Sequence, residues 1–144
     1  LYTGTGPTST SSAETITLAS LGGHEDFYEY VKIVDVLDIG DVYQNVGTLN
    51  VTLPADGVYE TGASARWNFT SIAKSVYSRW RFNGGQWWEN VREPKDVSDV
   101  HTDYYAFPSV MVAGPLTIEV EMRKEDMVGT LDLAFLDIWV ERKK

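Results

Sequence analysis

Apolar and polar positions alternate along most of the chain with a period of two, the spacing of a strand with one buried face. Leu116, Ile118, Val120 and Met122 alternate with Thr117, Glu119 and Glu121 in the clearest example. Ile16 and Leu18 alternate with threonines over residues 14–20, and Leu49, Val51 and Leu53 do so over 47–53. Residues 58–70 form a longer strand with Tyr59, Ala63, Ala65 and Trp67 as core candidates. The small residues Gly62 to Ala65 there permit another element to approach closely. Residues 27–37 are apolar on both sides, with Val31 and Ile33 on one and Tyr30, Val34 and Val36 on the other. That predicts a strand covered on both faces or one that changes sheets. The last strand, 130–141, is expected to place Leu131, Leu133, Phe135 and Trp139 on one face. No segment of ten or more residues has a helical period.

Breakers fall between these runs: Gly22-Gly23, Pro54-Ala55-Asp56-Gly57, Asn83-Gly84-Gly85 and Gly114-Pro115. Asn-Gly and Gly-Gly supply the positive φ of a tight hairpin, so residues 76–91 read as two strands joined at 83–85. Val76, Ser78, Trp80 and Phe82 share one face of this hairpin, and Tyr77, Arg79 and Arg81 the other. Trp87 and Trp88 are adjacent and therefore point opposite ways, so both cannot enter one core. The charged stretch 92–105 contains Pro94 and no clean period, and is expected to be a long loop. Eight or nine short strands separated by turns predict an all-β, antiparallel β-sandwich of jelly-roll type. Residues 14–144 are expected to form this single domain. Residues 1–13, small and polar with Gly and Pro, read as an extended arm or linker. The arm is either a loose terminus or a segment that docks on a neighbour with Leu1 and Tyr2 as anchors.

The 144-residue chain is long enough for a proper core. A formal charge of −9 argues against nucleic acid and anionic membrane as partners, since both need a basic footprint. No apolar run approaches the ~20 residues of a membrane-spanning helix. Without cysteine there is no disulfide framework and no thiol chemistry. The carboxylates Asp35, Asp38, Asp41 and Asp96, Asp99, Asp103 lack the spacing of a calcium loop and read as solvated loop residues. His24 and His101 lie in expected loops, outside any metal-binding spacing, and read as surface residues. There is no nucleophile elbow and no phosphate-binding glycine pattern. Neither an enzyme, a cofactor nor a metal site is therefore expected. Asn50-Val51-Thr52 and Asn68-Phe69-Thr70 match the glycosylation triplet but fall inside strands. The aromatic set remains: Trp80, Trp87, Trp88, Tyr104 and Tyr105 either stack sugar rings or serve as core and subunit contacts, with Arg79 and Arg81 beside them.

Several runs together resemble a known architecture. They are Leu53 to Tyr59, Ala63 to Trp67, Glu93 to Asp96, Gly114 to Val120 and Leu136 to Arg142. Their order is similar to that in jelly-roll modules of tailed-phage virion proteins: tail, neck and head fibres and capsid decoration proteins, some with tumour-necrosis-factor or C1q-like trimeric architecture. The resemblance spans residues 47–144. It implies a virion structural protein on the particle surface, homo-oligomeric and trimeric, attached to other virion proteins of capsid or tail. The alternative is a carbohydrate-binding or receptor-binding module that uses an aromatic platform on host-surface glycan. Trp87, Trp88, Arg79, Arg81, Tyr104 and Tyr105 are the interface or ligand-contact candidates in both.

Overall fold

The computed structural model describes residues 13–18, 27–96 and 100–143. Leu1, Tyr2, His24 and Asp99 lie outside them. Among the described residues nine strands form, in chain order β1 Ala13–Leu18, β2 Tyr28–Val36, β3 Gln44–Leu53, β4 Gly57–Phe69, β5 Val76–Phe82, β6 Trp88–Arg92, β7 His101–Met111, β8 Gly114–Lys124 and β9 Leu131–Arg142. They make a five-stranded sheet, β1-β2-β9-β4-β7, and a four-stranded sheet, β3-β8-β5-β6, with every pairing antiparallel. From β2 onward every connection except β5 to β6 crosses between the sheets. That nested order is the jelly roll, and β1 adds one strand beyond it.

The core is the contact between the two inner faces. Val31, Ile33, Tyr59, Ala63, Ala65, Trp67 and Phe69 meet Leu49, Leu53, Val76, Trp80, Leu116, Ile118, Val120 and Met122 across the sandwich, all buried. The period-two reading of β3, β4, β5 and β8 therefore holds residue by residue. Three expectations are corrected. First, β2 is not covered on both sides: Val31 and Ile33 are buried while Tyr30, Lys32 and Val34 on the other face are only partly so. Second, the stretch 92–105 is not a long loop, because β6 runs to Arg92 and β7 begins at His101. Asp103 and Tyr105 are thus strand residues facing inward, not loop residues.

The third correction matters most. In β9, Leu133 pairs with Trp67 and Phe135 with Arg66, so two steps along β9 answer one along β4. Ala134 is the extra residue of a β-bulge. Alternation inverts there: Leu131 and Leu133 point inward before it, and Leu136, Ile138 and Val140 after it. Phe135 and Trp139 consequently leave the core face and lie on the outside of the five-stranded sheet.

Candidate functional site

The tryptophan hairpin forms where Asn83 and Gly84 take φ of 48° and 66°. Trp80 and Trp88 pair across it. Trp87, one residue earlier, goes to the outside of the four-stranded sheet. Its ring there lies 4.1 Å from the Arg79 guanidinium and 4.2 Å from that of Arg81. Arg79 is also 3.8 Å from the Tyr43 ring, and its Nε donates to Glu121 at 2.9 Å. Arg81 Nε donates to Glu119 at 3.0 Å, and the Tyr43 hydroxyl donates to Glu89. Burial, then the Glu89 carboxylate, hold the Tyr43 phenol well above its usual range. Trp87, Arg79 and Arg81 are thus engaged inside a ladder of cation–π contacts and ion pairs.

Trp88 takes the opposite direction. It stands at the open margin of the sandwich, where β6 and β7 are the edge strands of their sheets. There it is 43% exposed and its ring lies 5.6 Å from that of Phe107. Trp80, Trp88, Tyr104, Tyr105, Ala106 and Phe107 line a cleft of about 220 Å³ between the two margins. Tyr105 and Trp80 form its floor as parallel rings 6.2 Å apart. The structure therefore brings Trp88, Tyr104 and Tyr105 together and sets Trp87, Arg79 and Arg81 on another surface.

Beneath the cleft a polar knot ties the sheets. Asp103, 2% exposed, accepts from Trp67 Nε1 at 2.9 Å, Ser78 Oγ at 2.8 Å and Asn90 Nδ2 at 2.7 Å. Arg92 approaches it at 3.4 Å. The Tyr105 hydroxyl donates to the Ser78 carbonyl at 3.0 Å, and burial raises its pKa so that it stays a neutral donor. The solvated-carboxylate reading of Asp103 is thus overturned, since a carboxylate this buried persists only when its oxygens are occupied. His101 is not a surface residue either: its ring stacks on Trp67 at 4.7 Å. Ser78 is fully buried, so the knot holds the fold together and offers no accessible nucleophile.

Around the β7 margin, aromatic surface continues onto the outer face of the five-stranded sheet. Tyr30, Trp139, Gly62 and Ala106 make one row across β2, β9, β4 and β7, and Lys32, Asp137, Ser64 and Tyr104 make the next. Gly62 leaves a gap in its row, and the Trp139 ring lies down into it: a Cβ on Gly62 would fall inside that ring's van der Waals envelope. Trp139 is half-buried and meets Tyr104, 64% exposed, at 5.8 Å. Tyr28 and Tyr30 stack at 6.3 Å further along. Lys32 and Arg66 lie over the Phe135 ring at 4.4 and 5.7 Å. Burial, with the Glu141 and Asp137 charges, pushes the Tyr28 phenol up to about 12.

Sequence reading misses Trp139 because it carries the initial phase of β9 through the bulge. The signal is present, since Leu136, Ile138 and Val140 are out of step with Leu131 and Leu133. Beside Trp139, Asp137 accepts the Tyr30 hydroxyl. Burial raises its pKa despite that bond and the nearby Lys32 and Arg66 charges. The folded state therefore binds this proton more tightly than the unfolded state, and its contribution to stability falls as pH rises through and just above the ordinary aspartate range. Thermal melts of the wild type and Asp137→Asn should differ in slope against pH across that window and run parallel at neutral pH. Parallel curves throughout would show that Asp137 titrates as it does in the unfolded chain.

No group of three or more His, Asp or Glu side chains suited to holding a metal occurs among the described residues. No protein-family model matches the chain, and no curated protein matches it in sequence. Solved structures do match in shape. One is TmCBM61 in complex with beta-1,4-galactotriose, at 14% identity, over 92% of this chain and 90% of that one, with a TM-score of 0.48. A second is the carbohydrate binding module CBM6cm-2 from Cellvibrio mixtus lichenase 5A in complex with cellotriose, at 16% identity, over 95% and 91% of the two chains, with a TM-score of 0.35. A third is a chain of infectious bursal disease virus, Gx strain, at 12% identity, over 90% of this chain and 31% of that one, with a TM-score of 0.41. Carbohydrate-binding modules and a virus structure thus both occur among the neighbours. The jelly-roll assignment itself rests on the strand order described above.

Proposed function

We propose that this protein is a non-catalytic carbohydrate-binding module that holds a glycan against the aromatic band around the β7 margin. One observation carries this reading: Tyr104 lines the cleft with Trp88 and also abuts Trp139, so two ring surfaces become one. A pyranose has apolar C–H faces and a hydroxyl edge. Exposed flat rings set beside Ser64, Asp137 and Lys32 complement both parts. The ring of Trp87 lacks that freedom because two arginines already cover it.

Calorimetric titration with cellotriose, beta-1,4-galactotriose and a panel of acidic oligosaccharides tests this. Trp88→Ala and Trp139→Ala should each weaken binding at least tenfold, about 1.4 kcal/mol, while Trp87→Ala leaves it within twofold. Absence of binding to every sugar, or equal loss in all three variants, would overturn the reading.

A second reading, a virion surface module that assembles as a homotrimer, is supported by the end of the sandwich away from the hairpin turn. Three loops meet there through Ile39 N donating to Leu131 O, Thr70 N to Thr130 O and Glu125 N to Ser75 O. They expose Leu37, Val42, Ile72, Met127 and Val128, each more than half accessible. Such a cluster suits attachment to another protein surface. A glycan-reading module carried on a particle satisfies both readings. Sedimentation decides the assembly part: a trimer supports it, and a monomer at high protein concentration removes it.

A further inference from the structure

Basic side chains are scarce on this acidic chain, and most of those on the described residues are committed. Lys74, Arg79, Arg81, Arg92 and Lys143 each pair with a carboxylate, and Lys124 donates to the Gly129 carbonyl. Lys32 and Arg66 differ. Neither side chain has an oxygen partner among the described residues, and both lie against one ring, that of Phe135. A ring contact consumes none of the five N–H donors of a guanidinium or the three of an ammonium. Asp137 stands on β9 between the strands that carry them, but its carboxylate accepts the Tyr30 hydroxyl. Glu14 of β1 is the register partner of Lys32, whereas the partners of Arg66 are Thr102 and Phe135. Arg66 is also exposed, so it is the more available of the two cations.

The bulge in β9 creates this pair. It turns Phe135 outward, and Lys32 from β2 and Arg66 from β4 converge on the ring it presents. Two like charges drawn to one ring repel each other, and an anion placed between them would offset that repulsion. Both cations also lie next to the aromatic band. The row of Lys32 is one step, about 7 Å along the strands, from the row of Trp139, and Arg66 is one such step from the row of Tyr104.

We propose that the glycan held by this surface is acidic: Lys32 and Arg66 take the carboxylate or sulfate oxyanion of a sugar whose ring lies on Trp139 and Tyr104. Arg66 contributes a planar fork of donors and Lys32 a point charge. This rests on the glycan-binding reading and adds its ligand class. A formal charge of −9 gives the chain no long-range attraction for an anion, so the preference arises from contact at these two residues.

Calorimetric titration with matched trisaccharides tests this. Cellotriose is compared with its forms oxidised to the uronic acid at C6 and sulfated at O6, and beta-1,4-galactotriose with the same two derivatives. The wild type should bind at least one acidic form at least tenfold more tightly than its neutral parent. Whether the uronate or the sulfate ester gains more identifies the source of the oxyanion. Arg66→Gln should cut the ratio of acidic to neutral affinity at least fivefold, and Lys32→Gln should lower it less. About 1 M sodium chloride, which screens charges beyond about 3 Å, should also lower the ratio in the wild type. The wild-type comparison stands whether or not either variant folds. If neutral sugars bind and no acidic form binds more tightly, the acidic ligand class is overturned while glycan binding survives. A ratio unchanged in both variants would place the anion elsewhere and overturn the role of Lys32 and Arg66. If no sugar of either kind binds, the glycan reading fails and this proposal with it.

Discussion

Asp103→Ala should destabilise the protein by about 4 kcal/mol, since it strands three donors at once. Trp67 Nε1 and Ser78 Oγ share one carboxylate oxygen, and Asn90 Nδ2 takes the other. These donors come from β4, β5 and β6, so the carboxylate on β7 links both sheets at their open margin. Each donor left in a dry interior costs about 1–3 kcal/mol, and water entering the hole recovers part of the sum. For a chain of 144 residues the loss corresponds to a fall in Tm of about 10 °C. Urea titration of both proteins checks this. A loss under about 1 kcal/mol would mean that the margin is wet and the knot dispensable. Trp88→Ala, on the exposed side of the same margin, should cost well under half as much.

Gly47→Ala and Gly62→Ala make the same chemical change with opposite consequences. At Gly47 a Cβ would lie within 2.5 Å of Leu136 Cδ2 and 3.2 Å of Ile138 Cδ1, and it would also strike Ile33. All three are fixed in the core, so overpacking of about 2–3 kcal/mol is expected. At Gly62 the atoms nearest the Cβ would all belong to the Trp139 ring, which lies on the outer face and can swing towards water. The fold should lose about 1 kcal/mol or less, while the flat surface beside Tyr104 is broken up and oligosaccharide affinity falls at least tenfold. Melts and titrations on the two variants separate these outcomes. A Gly62→Ala protein that binds as tightly as the wild type would remove Trp139 from the site.

Much of the architecture was legible in the sequence because a strand with one buried face writes its period directly. β8 shows this best, with Leu116, Ile118, Val120 and Met122 all inward. Turn chemistry placed the hairpin at Asn83-Gly84, and adjacency alone separated Trp87 from Trp88. Two things stayed hidden. Asp103 and His101 sit in a stretch without visible period because its inward positions hold polar groups, which sequence shows without their partners. Trp139 was hidden by the bulge at Ala134, and the gap at Gly62 that receives its ring is a relation between strands 77 positions apart. The aromatic band joins Tyr104 on β7 to Trp139 on β9, so nothing local in either strand announces it.

The bulge in β9 has a consequence for how this surface can be gained or lost. Along a strand, residue number modulo two decides inside from outside, and Ala134 flips that parity for the eight residues after it. Deleting Ala134 would remove the flip and the one-residue displacement together, so Leu136 and Ile138 would stay inward and Trp139 outward on a regular strand. The surface is lost instead when the bulge is flattened with every residue kept, for Trp139 then turns towards the core and Leu136 and Ile138 towards water. A codon gained or lost in frame at the bulge therefore spares the aromatic face, and the local pairing of Leu133 with Trp67 and Phe135 with Arg66 is what keeps the ring outside.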